Sequence, residues 1–279
     1  NHLMLKNINT NSFTHLKIHS QYSICEGALK IEDLKNYCKE NKVRSVGLSD
    51  TSNLCGALEF SENLSKVGTQ PIIGTQIKFK YKNNIGLLPM FAINEIGYKR
   101  LIGLSSKSFL HNKDLLDPHC EFDELSTNNE GIIVFSGTIN GLIGNLFNQA
   151  KYTEINEIYT TLKSNFKDRF YIEIQRHGDV NEKSFEKYNL QKSSELKISI
   201  IATNEVFYLK QDMFEAHDAL VCIGNKNYVN EKNRVKFSDQ HYLKSDNEMF
   251  DLFSDIPEAL TNNYNFPFRC NFKPEFSKP

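Results

Sequence analysis

Seven short apolar runs, most of them separated by a stretch of helical period, constrain this chain more than any other feature. They are "FTHLKIH" (13–19), "RSVGLS" (44–49), "PIIGTQIKF" (71–79), "LLPMFAIN" (87–94), "GIIVFSG" (131–137), "RFYIEIQ" (169–175) and "ISIIATN" (198–204). Nearly continuous apolarity over so few residues is the mark of a strand buried on both faces, as in a parallel sheet. Between them, residues 31–41, 56–68, 95–109, 152–166 and 182–196 place apolar side chains at helical spacing. Asn94 and Asp179 stand where the N-caps of two of these helices are expected. Strands alternating with helices build either a β/α barrel or a doubly wound sheet. The strand ends carry polar residues along the whole chain, which favours a barrel, where such ends gather at one face. After about residue 205 the alternation stops, and 212–224, 246–256 and 257–266 read as a helical C-terminal section. "GLIGNL" (141–146) is too weak a pattern to assign.

The bulk properties narrow the class. Hydrophobic residues make up 39% of the chain, and no apolar run approaches the roughly 20 residues needed to span a bilayer, so no membrane partner is expected. No secretory signal is visible, and "NHLM" at the start reads as a cloning remnant. The six cysteines (25, 38, 55, 120, 222 and 270) lie far apart without a CxxC, which suits reduced thiols in a cytoplasm. A formal charge of −1 argues against a free-standing nucleic-acid binder. The most basic stretch, "NKNYVNEKNRVKF" (225–237), reads as a solvated loop.

One stretch raises a chemical question. In "THLKIHS" (14–20), strict alternation puts Phe13, His15, Lys17 and His19 on one strand face and Thr14, Leu16 and Ile18 on the other. Two histidines flanking a lysine suggest a metal site, the remains of one, or neither. His15 reads as a hydrogen-bonded barrel histidine and His217 as a packing or capping residue on a helix. His177, after the sixth strand, could reach the same barrel mouth. His119, Cys120, Glu121 and Asp123 cluster in a polar connection, without the further donor group that a metal site needs. Cys25 and Cys55 read as buried, inert thiols. No phosphate-binding loop, dinucleotide fingerprint or nucleophile elbow is present.

"HLKIHSQYSICEGALKIEDL", "GLSDTSNLCGALEF", "PIIGTQIKF", "AINEIGYKRL", "DRFYIEIQRHG", "IATNEVFYL", "AHDALVCI" and "LFSDIPEAL" occur in this order. Together they resemble the N-terminal PHP (polymerase and histidinol phosphatase) domain of bacterial DNA polymerase III α subunits, from about residue 13 to about 271. The resemblance implies an α/β fold: a distorted seven-stranded β/α, TIM-like barrel with a short helical C-terminal section. It divides the chain into a lead-in (1–12), the PHP barrel (13–210) and a helical section (211–279) leading towards a polymerase core absent from this sequence.

An intact PHP domain, the resemblance implies, is a metal-dependent phosphoesterase with three metals at its barrel mouth. Here the positions of its ligands hold Lys17, His19, Glu26, Thr51, Gln76, Leu87, Thr138, Glu205 and Phe207. Only His19 is kept outright, with Glu26 and Glu205 as acidic replacements; Lys17, Thr51, Leu87, Thr138 and Phe207 are not ordinary ligands of such metals. Lys17 is expected to point into the mouth and pair with Glu26 or Glu205. The expected function is therefore a non-catalytic domain in DNA replication, with no cofactor of its own. Its implied partners are the rest of the α chain, the proofreading exonuclease (ε) subunit and, through the whole polymerase, DNA; the absent core would use Mg2+. The alternative is a residual phosphoesterase or 3′–5′ exonuclease built on His19, Glu26, His177 and Glu205.

Overall fold

The computed structural model describes residues 12–23, 26–110 and 117–275. In chain order the elements are β1 (His15–Ile18), α1 (Ile31–Glu40), β2 (Ser45–Thr51), α2 (Ala57–Lys66), β3 (Gln70–Tyr81), β4 (Asn84–Ala92), α3 (Glu95–Leu110) and β5 (Cys120–Glu121). They continue with β6 (Ile132–Phe135), α4 (Leu142–Asn148), α5 (Tyr152–Phe166), β7 (Phe170–Ile174), α6 (Glu182–Leu196), β8 (Ser199–Ala202), β9 (Glu205–Val206), α7 (Phe214–Gly224), α8 (Asp246–Leu252) and α9 (Pro257–Asn265). All seven expected strands form, and so do the expected helices; α4 arises from the stretch left unassigned.

The strands run in the order β8-β7-β6-β4-β3-β2-β1-β9, with β5 added to β3. The two ends of this path belong to one extended segment. Its first half, β8, pairs with β7, and two residues later β9 pairs with β1, Lys17 opposite Glu205. Backbone bonds from Thr203 N–H to the Ile174 carbonyl (3.1 Å) and from His19 N–H to the Val206 carbonyl (2.9 Å) extend both seams. Residues 199–206 thus act as the seventh stave and close the barrel.

The sheet is mixed rather than parallel. β4 is antiparallel to both β3 and β6. The reason is local: β3 and β4 are joined by only Lys82 and Asn83, with Lys82 at φ 52°, a hairpin connection that reverses the chain. Apolarity reveals burial and carries no information about strand direction.

A second departure lies in β1. His15 pairs with Val46 and Ile18 with Leu48, so three steps along β1 match two along β2, a β-bulge. The bulge turns His15 and Ile18 to the outer face and leaves both Leu16 and Lys17 directed inward. Lys17 therefore shares a face with His19 but not with His15. Gly47 sits against the bulge, where a Cβ would come within 2.8 Å of the Leu16 Cα.

Inside the barrel, Leu16, Ile72, Phe91, Ile133, Phe135, Tyr171 and Ile201 form an apolar floor, plugged from below by Phe266 and Cys270. Outside, two larger clusters bury the helices against the sheet. The C-terminal section is fastened to the barrel: the Asn263 side chain accepts from Thr14 N–H (2.8 Å) and donates to the Thr14 and Ala202 carbonyls. Asn94 caps α3 through the Gly97 N–H at 2.9 Å. Asp179 does not cap α6; Asn181 occupies that position in a left-handed conformation. No helix among the described residues is long and apolar enough to cross a membrane.

Candidate functional site: the barrel mouth

Above the apolar floor the interior becomes polar. The Lys17 ammonium is fully buried, 2.6 Å from Glu205 Oε1 and 3.1 Å from both carboxylate oxygens of Glu173. Burial works against this charge, yet Glu173 and Glu205 outweigh it and hold the lysine above its ordinary pKa. The expected pairing with Glu205 is present, whereas Glu26 is not Lys17's partner. Glu173 is the functional residue that the sequence reading missed. Its signal was a carboxylate in the centre of an otherwise buried strand, which needs a cation or a proton.

His19 lies next in the network. Its Nε2 donates to Glu205 Oε2 at 2.5 Å, and its Nδ1 is 3.1 Å from Ser23 Oγ and 3.7 Å from Glu26. Burial pulls the imidazole down, but Glu205 and Glu26 raise it above the ordinary histidine value. Glu205 responds in the opposite sense: burial would raise it, while Lys17 and His19 together hold it far below the usual carboxylate range. Burial leaves Glu173 above that range, because Lys17 only partly offsets it. Neutral partners complete the cluster. Thr203 donates to Glu173 (2.6 Å), Gln175 to Glu205 (3.2 Å), and the Gln76 amide lies 3.2 Å from His19 Nε2.

Glu26 sits at the edge of the same network, accepting from Thr51 Oγ1 at 2.7 Å and at 3.3 Å from Ser23 Oγ, the hydroxyl that also meets His19. Asp50 is held by the Ser20 N–H and hydroxyl, both at 2.6 Å. Phe207 packs on His19 at 4.5 Å between ring centres and also touches Phe237 and His241. Leu87, Thr138 and Phe207 all line the mouth, a cavity of 460 Å³. Apolar bulk thus stands at two positions where the resemblance places metal ligands.

His177 reaches the mouth as anticipated, stacked on His241 at 4.1 Å and 11°. With Asp179 and Glu182 it forms the one group among the described residues whose donor atoms converge enough to suggest a metal. The hydrogen bonds argue otherwise. His177 Nε2 accepts from the Glu205 N–H at 3.2 Å, so the neutral ring carries its proton on Nδ1, the nitrogen that faces Glu182. Glu182 in turn accepts from the His177 and Gly178 N–H groups at 2.8 and 3.0 Å, and burial pushes its carboxyl up to about 7. His217 donates from Nε2 to the Glu26 carbonyl and packs on Phe207.

Away from the mouth, His15 donates from Nε2 to the Lys244 carbonyl at 2.7 Å. Burial pushes its pKa down to about 4, against the pull of that bond. His119 precedes the added strand β5, which begins at Cys120; His119 is turned to the Asp117 carbonyl and Cys120 to that of Leu104. The five described cysteines are free thiols; Cys55 is exposed, contrary to expectation, and Cys25 lies outside the described residues.

Of the acidic and imidazole donors at the expected ligand positions, His19 and Glu205 are therefore committed to each other and to Lys17. Glu205 is shared by an ammonium and an imidazole, and a buried cation stands among the carboxylates that divalent ions would require. The residues present do not fit that group.

The chain is similar to the DNA polymerase III subunit alpha of Caulobacter vibrioides, 34% identical over 273 residues, covering 93% of this chain and 23% of the relative. It is likewise 35% identical over 268 residues to that of Rickettsia felis (96% and 22%) and 34% over 280 residues to that of Borreliella burgdorferi (96% and 24%). The chain thus spans about a quarter of the length of these curated relatives. Among solved structures, it is similar to a two-domain protein containing a predicted PHP-like metal-dependent phosphoesterase from Bacteroides vulgatus, with TM-score 0.43 and 14% identity over 86% of this chain and 62% of that one. The PHP domain family model matches residues 15–177, from the first strand to the histidine at the mouth, and the chain belongs to the PHP domain family.

Proposed function

We propose that this chain is the PHP domain of a replicative DNA polymerase α chain, and that an ion-pair cluster has replaced the metal site so that the domain is structural rather than catalytic. The observation that carries this reading is the Lys17 ammonium between Glu173 and Glu205, with His19 on the second oxygen of Glu205. A fixed cation supplies charge compensation but cannot acidify a water or polarise a phosphate as a metal does. On this reading residues 13–210 are the barrel and 211–279 a helical section belonging to the same packed unit. The domain holds no cofactor of its own, acts in the cytoplasm, stabilises the polymerase and docks its proofreading exonuclease subunit. DNA and Mg2+ are handled by the polymerase core.

The rival reading, a residual phosphoesterase or 3′–5′ exonuclease on His19, Glu26, His177 and Glu205, draws support from the open cavity at the mouth. It is weakened because Glu205 is already shared by Lys17 and His19, and His177 is oriented by the Glu205 N–H. Elemental analysis of the chain purified without chelator, with a phosphodiesterase assay in manganese, zinc or iron, separates the two. Less than one metal per chain and no hydrolysis are expected; two or three stoichiometric metals, or metal-dependent turnover, would overturn the proposal.

A further inference from the structure

The seam between β1 and the last stave is a β-ladder only at its top. There Lys17 pairs with Glu205 and Ile18 with Val206. Three residues further down each strand, the same register would set Thr14 against Ala202. Instead of bonding directly, both bond the side-chain amide of Asn263 on α9. Its oxygen accepts from the Thr14 N–H at 2.8 Å, and its nitrogen donates to the Thr14 and Ala202 carbonyls at 2.8 and 3.1 Å. Its neighbour Asn262 donates to the Ile200 carbonyl at 2.7 Å. Asn263, Thr14 and Ala202 are all buried.

This amide does the work of a missing rung. Asparagine carries the acceptor and the two N–H donors that the gap requires, whereas an ionised aspartate of the same shape carries acceptors only. Without it, one buried N–H and two buried carbonyls lose their partners, a cost that the chain escapes by letting the strands part and water enter. β1 has little else to hold it low down. It is four residues long, and the bulge at His15–Ile18 interrupts its pairing with β2. Other staves are fastened without α9: β2 and β3 pair from Ser45–Gln70 to Thr51–Gln76, and β3 and β4 from Gly74–Phe91 to Tyr81–Asn84.

We propose that the seam is a latched joint: Asn263 holds β1 to the last stave while α9 is docked, and when α9 lifts, residues 14–19 and 199–206 part as one unit while the other staves stay paired. Local opening of this kind is drawn from the elements with the fewest backbone ties. The joint is coupled to the mouth through Lys17, which sits three residues above Thr14 and reaches across the seam to Glu205 and Glu173. Parting the strands admits water to an ammonium that the closed seam buries completely. A contact that pins α9 therefore tightens the ion cluster, and one that lifts α9 loosens it.

Hydrogen exchange read by mass spectrometry tests the joint on the unmodified chain, Asn263→Ala, Asn263→Asp and Leu101→Ala. Leu101 is fully buried on α3, which packs on β3, β4 and β6, and its variant controls for destabilisation away from the seam. Both Asn263 variants are expected to speed exchange at least tenfold in peptides covering 14–19 and 199–206, and less than twofold in β3 and β4. Acylation of the Lys17 amine should rise in step. Leu101→Ala should speed β3 and β4 at least as much as the seam. Equal acceleration of every stave in the Asn263 variants would assign the amide to the fold as a whole and overturn the joint; so would an unchanged seam. Opening in Asn263→Ala but not in Asn263→Asp would show that the two donated bonds are not the latch. A faster seam with Lys17 still unlabelled overturns the coupling to the mouth. If neither variant folds, the unmodified chain in low urea decides: seam peptides opening together ahead of β3 and β4 support the joint, and all staves opening at once overturns it.

Discussion

The floor and the mouth of this barrel are built from the same staves, yet they solve opposite problems. At the floor, β1, β3, β4, β6, β7 and β8 contribute Leu16, Ile72, Phe91, Ile133, Phe135, Tyr171 and Ile201, which interlock with Phe266 and need no particular partner. Higher up, the inward residues of β7, the residue just past its end and the last stave are Glu173, Gln175, Thr203 and Glu205, and the carboxylates tolerate burial because Lys17 and His19 meet them. Dispersion and apolar burial are forgiving of sequence, whereas an ion cluster is specified by charge balance. The comparison teaches where tolerance to change should lie.

The largest loss is expected at the floor. Phe266 is fully buried and packs edge-on against Phe91 and Phe135. Phe266→Ala should leave a cavity beneath the barrel and cost about 4–5 kcal/mol in urea unfolding. A loss under about 1 kcal/mol would mean that the floor collapses around the gap and that the C-terminal plug matters little.

Lys17→Met comes next, at roughly 3–4 kcal/mol, because it strands Glu173 and Glu205 without their cation. Combining it with Glu205→Gln or Glu173→Gln should recover part of that loss, since the second change removes a charge that the first left uncompensated. Strict additivity with both carboxylates in the double-mutant cycle would show that the ammonium is not what balances the mouth.

The contrast also sets what could be read from the sequence. The floor and the seven staves were legible because each strand is a run of inward and outward apolar side chains, a pattern that survives any ambiguity of pairing. Strand direction was not: β4 runs backwards because of a two-residue turn at Lys82-Asn83, too short to stand out beside the apolar runs it joins. At the mouth, Lys17 facing Glu205 followed from the resemblance, which places both among the positions of lost metal ligands, although it left Glu26 as an equal alternative. His15 was misplaced because a one-residue bulge inverts the alternation, and a bulge of that kind leaves no mark in the polarity pattern. Glu173 was hidden inside the apolar run 169–175, and His241 arrives on a loop that no periodicity ties to the barrel.

His15, turned away from the mouth by the bulge, gives a smaller, pH-dependent effect. Its ring is buried neutral, with a pKa pushed down to about 4, whereas the unfolded chain would titrate near 6.5. As pH falls below 6.5 the unfolded state takes up a proton that the folded state refuses. The contribution is therefore complete above that value and is lost progressively down to about pH 4. The stability curve of the unmodified chain should drop more steeply in this window than that of His15→Gln, by something on the order of 2–3 kcal/mol. Parallel curves would place a solvated, ordinary histidine at position 15.

The smallest expected effect, no gain at all in hydrolysis or metal binding, tests the mouth most directly. Thr51 stands where the resemblance places a ligand histidine, and its hydroxyl now donates to Glu26 at 2.7 Å. Thr51→His supplies one imidazole but removes that bond, and it leaves Lys17 between the two carboxylates and Phe207 against His19. A metal centre needs several donors at once, oriented by their own hydrogen bonds, so a single restored nitrogen completes no coordination sphere. The variant should hydrolyse no phosphodiester in manganese, zinc or iron and should bind no more metal than the unmodified chain. Loss of the Glu26 contact should cost on the order of 1 kcal/mol, close to a single partly buried hydrogen bond. Measurable metal-dependent hydrolysis from this one substitution would mean that Glu205 can leave Lys17 and His19 for a metal, and that the mouth differs from the floor by far less than its ion pairs imply.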